Sequence, residues 1–233
     1  MGCGSSNQNK TNKMKDCTYR LQYFPIAAAG EAIRLTFHAK SVAFTDERIT
    51  FEEWPEVKKT LKNGQMPALY VDDMPPLVQS EAILRYLGRN FDMFPRDPME
   101  AYLCDEVIAT TGDIIKGLMT IFQICLFPGM YGHDDRTEEE RKDVQAKLQA
   151  NFLANSLPNC LKSLDSLVMQ TGIMKNGKVT IGDTSIAARF RTMRTDCTML
   201  TQNWPENAWA DYPNLVAHDK KMQELEGIKK YFN

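Results

Sequence analysis

The apolar positions along this chain switch period twice, and the switches divide it. Nothing periodic occurs before Thr18, where Tyr19, Leu21 and Tyr23 alternate with polar neighbours as one face of a strand that Phe24 and Pro25 end. From Gly30 to Lys40 the spacing is helical, with Ile33 and Phe37 four apart, and Ala43 to Ile49 reads as a second strand. Strand, helix and strand in that order predict a right-handed parallel crossover. Phe51 to Lys59, interrupted by Pro55, is expected to be short and irregular. Gln65 to Val71 and Pro76 to Ser80 form a hairpin, and Ile83, Tyr86 and Leu87 mark a helix running to Asn90. Phe91 to Pro98, with two prolines, reads as a linker. Beyond it strand signals fade. Met99 to Phe127 carries an apolar stripe of Val107, Ile108, Ile114, Ile115, Leu118 and Met119 until Pro128-Gly129 stops it. Thr137 caps the next helix with Glu138, Glu139 and Glu140 in its first turn. Helices follow up to Gln170, from Thr184 to Leu200 and from Tyr212 to Glu224. The expected fold is α/β plus all-α: an arm over 1–16, an α/β domain over 17–92 and a helical domain over 99–233.

The stretch from Gln65 to Asn90 has the chemistry of a binding edge. Met66 precedes a proline and is pushed to an extended conformation, and Met66-Pro67 is a candidate cis bond. A proline entering a strand leaves its neighbour's backbone groups unpaired in the sheet, so an extended peptide can pair with them. Ser80 stands at a helix start, where a serine cap and the helix dipole favour a carboxylate. Together these features suit a small, anionic, extended peptide. A plain hairpin followed by a capped helix would use the same residues.

Composition narrows the remaining options. The 28 basic and 30 acidic residues nearly cancel, which gives no nucleic-acid surface. No uninterrupted apolar run approaches about 18 residues, so no membrane span is expected. The six cysteines are scattered without a C-x-x-C and accompany only three histidines. This predicts reduced thiols in a cytoplasmic setting, no disulfide framework and no metal site. The first six residues, Met-Gly-Cys-Gly-Ser-Ser, fit the myristoylation pattern at Gly2, and Cys3 beside it is a candidate for palmitoylation. One acyl chain holds a membrane only marginally, so the second chain and Lys10, Lys13 and Lys15 would share the tethering. An untethered flexible tail is the alternative.

The order β-α-β, then β-β-α with a proline opening the third strand, is that of a thioredoxin-like domain. Where a thioredoxin carries its cysteine pair, this chain has Tyr23-Phe24-Pro25-Ile26, which excludes dithiol chemistry. The sequence resembles the cytosolic glutathione transferases, the sigma-like class above all, over essentially everything after the arm. The likeness lies in Leu21-Gln22-Tyr23-Phe24, Glu31-Ala32-Ile33-Arg34, Asp46 to Ile49, Trp54 to Lys58, Gly64 to Ala68 and Gln79 to Leu87. The resemblance implies a thioredoxin-like domain followed by a helical bundle, and an enzyme that uses glutathione as co-substrate without a cofactor. It implies conjugation to hydrophobic electrophiles in a homodimer, with a glutathione-dependent isomerase or a non-catalytic, tethered glutathione-binding protein as alternatives.

The resemblance also implies residue roles. Tyr23 would hydrogen-bond the glutathione sulfur, although on its own it reads equally as a packed strand aromatic. Trp54 and Lys58 would hold the glycyl end, Gln65 and the Met66 backbone the cysteinyl segment, and Gln79 and Ser80 the γ-glutamyl carboxylate. Asp113 would reach across a dimer interface to the γ-glutamyl amino group; an exposed helical aspartate is otherwise simply solvated. An electrophile pocket is expected between Phe24 and Ile26 on one side and Thr120, Gln123 and Ile124 on the other. The chain departs from the family in having Ala28-Ala29 where a glycine-arginine pair usually follows the tyrosine, so a guanidinium near the sulfur is missing. Thr120 stands where the prostaglandin-isomerising member has tryptophan. In Gly182-Asp183-Thr184-Ser185-Ile186-Ala187-Ala188 the turn and a hydroxyl remain but the capping carboxylate is expected to be lost, weakening that helix start by about 0.5–1 kcal/mol.

Overall fold

The computed structural model describes residues 17–233. The acylation pattern at Gly2 and Cys3 lies outside the described residues.

Strand β1 (Tyr19–Tyr23) is central in a four-stranded sheet of order β2-β1-β3-β4. It pairs in parallel with β2 (Thr45–Arg48) and antiparallel with β3 (Ala68–Val71), which pairs antiparallel with β4 (Leu77–Val78). The connection from β1 to β2 runs through α1 (Glu31–Ala39), the crossover predicted from the period change. Tyr19 and Leu21 face the core with Leu69 and Val71 from β3, as strand alternation requires. The stretch after β2 is a helix, α2 (Trp54–Thr60), where irregular chain was expected. Pro55 sits in its first turn, where a proline gives up no intrahelical hydrogen bond. Helix α3 (Ser80–Asn90) follows β4. Ser80 is its first residue and not its cap: Gln79 holds the cap position, and no side chain bonds the first turn.

The rest of the chain is helical. Helix α4 (Pro98–Leu126) starts where Asp97 accepts hydrogen bonds from the Met99 and Glu100 N–H groups. By length and composition α4 could cross a membrane, although polar residues scattered along it interrupt its apolar runs. Here half of its most apolar stretch is buried inside the fold. Val107, Ile114, Leu118, Ile121 and Phe122 join the core made by α6 (Leu157–Val168) and α8 (Ile181–Thr192). Burying such side chains stabilises the fold by roughly 1.5–3 kcal/mol each. Helix α5 (Glu138–Asn151) begins with the Thr137 and Glu140 capping box expected from its acidic first turn. A short α7 (Gly172–Asn176) precedes α8, which continues through a π turn at Met193–Cys197. Helices α9 (Pro213–Glu224) and α10 (Glu226–Phe232) close the chain.

The start of α8 corrects one expectation. Its cap is Thr180, and the capping carboxylate is present as Asp183, three residues on. Asp183 accepts from the Thr180 N–H at 2.7 Å and the Thr180 hydroxyl at 2.8 Å, and takes the Ile173 N–H at 3.2 Å. The cap thus lies one turn earlier than a helix start at Thr184 would put it. Helix α8 then packs on α1, where the Thr36 and Thr184 hydroxyls meet at 3.0 Å in the buried seam. Through this seam the helical part of the chain reaches the loop after β1.

Candidate functional site

Tyr23 ends β1, and the backbone turns away immediately after it. Its carbonyl accepts the Ile49 N–H at 2.9 Å, while the ring lies against Gly30, where a Cβ would come within 2.5 Å of it. That close approach requires glycine. The Tyr23 hydroxyl accepts the Ala29 N–H at 3.1 Å. Because an oxygen lone pair takes up this donor, the phenolic proton can be given to another group. Burial pushes the Tyr23 pKa up, against the opposing pull of the Ala29 N–H and of the Arg34 and Arg189 guanidinium groups. The side chain is therefore a neutral phenol at neutral pH, suited to donate.

The loop after Tyr23 is held at every step. Arg34, wholly buried, donates to the Ile26 carbonyl at 2.8 Å and the Phe24 carbonyl at 3.1 Å while paired with Asp46. Ala28 has φ 31°, a left-handed conformation that alanine rarely adopts. Asp196 fixes it by accepting the Ala27 N–H at 3.1 Å and the Ala28 N–H at 2.8 Å, and Arg189 donates to the Ala28 carbonyl at 2.7 Å. Such strain persists only where the surroundings over-determine it. Both charged residues come from α8 and its π turn and were not foreseen from sequence. The available signal was two charges, Arg189 and Asp196, inside the apolar stripe of Ile186, Phe190, Met193 and Cys197.

Beside Tyr23 the Met66-Pro67 bond is cis, and the Met66 side chain packs on the cluster of Tyr23, Ile26 and Ala28. Gln65 and Gln79, both exposed, approach at 3.4 Å through their amides. Gln79 has φ 71°, so the chain enters α3 from a left-handed residue and no side chain occupies the N–H groups of the first turn. Ser80, half-buried, stands at that end. Trp54 lies edge-on to Phe24 with ring centres 5.3 Å apart. The exposed Lys58 runs its stem over Gly64, next to Gln65. Tyr23, Met66, Phe24 and Ile26 thus come together, Gln65 meets Gln79, and Trp54 joins through Phe24. Asp113 is exposed on α4 and paired with Lys116 at 3.3 Å.

An apolar wall from α4 stands opposite Tyr23. Ile115 and Met119, four apart on α4, pack on the Tyr23 cluster. Thr120 is turned about 100° round the helix from Met119; it is exposed and bonds back to the Lys116 carbonyl at 3.0 Å. Gln123 is half-buried and Ile124 buried. Phe24 stacks on Phe51 at 5.0 Å and approaches Phe127 at 6.2 Å, an aromatic rim missing from the sequence reading. Among the described residues, no three His, Cys, Asp or Glu side chains group so as to hold a metal ion.

Residues 20–89 match the family model described as glutathione S-transferase, N-terminal domain, and residues 131–233 match glutathione S-transferase, C-terminal domain. Glutathione S-transferase 1 of Ascaris suum is 41% identical over 146 residues, 59% of this chain and 68% of that protein. Hematopoietic prostaglandin D synthase of Rattus norvegicus is 32% identical over 213 residues, 91% of this chain and 94% of that protein. Among solved structures, prostaglandin synthase D of Nilaparvata lugens superposes with a TM-score of 0.74 at 27% identity, covering 92% of this chain and 97% of that one.

Proposed function

Since the chain belongs to the glutathione S-transferase family of enzymes, we propose that it joins the glutathione sulfur to hydrophobic electrophiles, with Tyr23 as the residue that keeps the sulfur ionised. A free thiol has a pKa near 8.5 and is mostly protonated at neutral pH. A charge-assisted hydrogen bond worth about 1.5–3 kcal/mol lowers that by about one to two units, which raises the nucleophilic thiolate at neutral pH from a few per cent to between about a quarter and three quarters. The observation that carries the reading is the Tyr23 hydroxyl, which accepts the Ala29 N–H and so keeps its proton for a partner beside Met66.

The tripeptide is placed along the groove by the residues gathered there. The Met66 backbone, beside the cis Pro67, takes the cysteinyl segment, with Gln65 alongside. Gln79 and Ser80 hold the γ-glutamyl carboxylate at the open first turn of α3. Trp54 and Lys58 hold the glycyl end, Lys58 by its charge. Asp113 of a second copy completes the γ-glutamyl site in a homodimer. The electrophile lies against Phe24, Ile26, Ile115 and Met119, with Phe127 at the rim. The reading assigns the enzyme to the cytoplasm, with acylation at Gly2 and Cys3 tethering it to a membrane surface. Unchanged intact mass after co-expression with an N-myristoyltransferase would remove the tether.

The test is conjugation of glutathione to a generic aryl halide. Tyr23→Phe should lower kcat/KM at neutral pH by about eight- to twenty-five-fold, the ratio of thiolate fractions at pH 7 for a thiol pKa near 7.5 to 6.5 and one near 8.5; undiminished turnover would refute the assignment. A glutathione-dependent isomerase is the second reading, favoured by the relatives named prostaglandin D synthase. It predicts formation of a prostaglandin without consumption of glutathione.

A further inference from the structure

Arg189 is a buried cation whose hydrogen-bonding capacity the fold leaves partly unused. It is 4% exposed, and its Nη2 donates to the Ala28 carbonyl at 2.7 Å. Its Nη1 is buried and has no protein acceptor. With Ala29, Ser80, Glu81 and Thr111, Arg189 lines a cleft of about 40 Å³ between the Tyr23 loop and the start of α3. A buried donor without a partner is costly and is retained where something else accepts from it. Burial pushes the Arg189 pKa down to about 10, so it is still a cation at neutral pH.

Arg189 and Arg34 both favour the ionised form of Tyr23, and the anions near Arg189 have other partners. Tyr23, Glu31, Asp196 and Cys197 face it. Glu31 is already paired with Arg34 at 3.3 Å and Arg191 at 2.9 Å. Asp196 is engaged by the Ala27 and Ala28 N–H groups, and Glu81 on the cleft wall pairs with Arg85 at 3.1 Å. Ala27, Ala28 and Ala29 bring no charge of their own to the loop.

We propose that Arg189, reaching from the helical part of the chain, is the positioning cation of the thiolate site: it fixes the Ala28-Ala29 turn that orients Tyr23, and its charge favours the ionised sulfur of bound glutathione. Asp196 is its counterpart, holding the same turn while opposing ionisation. The inference rests on the proposed role of Tyr23. It predicts opposite electrostatic effects from two residues that grip one loop, because in a site shielded from water a cation lowers a thiol pKa and an anion raises it.

The experiment titrates the thiol of bound glutathione by its ultraviolet thiolate absorbance, alongside the pH profile of kcat/KM. The proteins are the wild type, Arg189→Met, Arg189→Lys, Asp196→Asn and Tyr23→Phe. Arg189→Met should raise the bound thiol pKa by about one unit, roughly a tenfold loss of thiolate below it. Arg189→Lys should restore most of that shift, and Asp196→Asn should move the pKa the other way. A purely structural role would move Arg189→Met and Asp196→Asn in the same direction and overturn the proposal. So would an unmoved pKa with weaker glutathione binding, which would make Arg189 a carboxylate anchor. If Arg189→Met does not fold, a wild-type pKa in both Arg189→Lys and Asp196→Asn overturns the proposal, while a lowered value in Asp196→Asn alone supports it. If Tyr23→Phe shifts the pKa and Arg189→Met does not, only the role of Arg189 fails; if Tyr23→Phe shifts nothing, the reading beneath it fails.

Discussion

Replacing Asp183 should destabilise the protein more than any single change on the surface. Its carboxylate, 2% exposed, accepts from the Thr180 N–H and hydroxyl and from the Ile173 N–H, and meets His218 Nε2 at 3.1 Å. In Asp183→Ala the buried His218 ring loses its contact, which adds to the loss, and two buried backbone N–H groups are left without an acceptor. At about 1–3 kcal/mol for each, the loss is roughly 2–6 kcal/mol, against a total stability of about 5–15 kcal/mol. A mid-range loss of ~4 kcal/mol lowers Tm by about 8–16 °C in a chain of this size. Asp183→Asn keeps one acceptor oxygen and should lose about half as much. Thermal melting followed by circular dichroism reads both. A fall of less than about 3 °C in Asp183→Ala would show that the capping box does not hold α8 in place, and the placement of Arg189 and Asp196 would fall with it.

Two further outcomes follow from the loop around Tyr23. Gly30→Ala should reduce glutathione turnover by tenfold or more with overpacking of about 1–3 kcal/mol, because the new Cβ would meet the Tyr23 ring at 2.5 Å; steady-state kinetics at wild-type rate would refute the close approach. Burial pushes the Asp196 carboxyl above the ordinary carboxylate range, although the Ala27 and Ala28 N–H groups pull it back. Its contribution is therefore fully present below the unfolded value of about 4 and is lost as pH rises through the higher folded value. The Tm advantage of wild type over Asp196→Asn should shrink as pH rises from about 4 through the raised folded value, and a growing advantage would contradict the burial.

The parts of this fold that announce themselves in sequence are those set by period. The alternation of Tyr19, Leu21 and Tyr23, the stripe along α4 and the acidic first turn after Thr137 each depend on near neighbours, and each element appears where its pattern lies. Pro55 misled because a proline breaks a helix interior yet suits a first turn, and only the boundary distinguishes the two. Thr180 and Thr184 are both threonines near an aspartate, so the cap was assigned one turn late. Thr120 and Met119 are neighbours in sequence but about 100° apart on a helix, and the rotation of α4 against β1 is a tertiary fact. Arg189 and Asp196 lie more than 160 residues from the loop they hold. No local pattern connects them to Tyr23.

The most direct measurement is the ultraviolet difference spectrum of glutathione bound at neutral pH to the wild type and to Tyr23→Phe. A thiolate band in the wild type that disappears in the phenylalanine variant, with glutathione still bound, is the predicted result. Equal bands in the two proteins, or no band in either, would contradict the assignment of Tyr23.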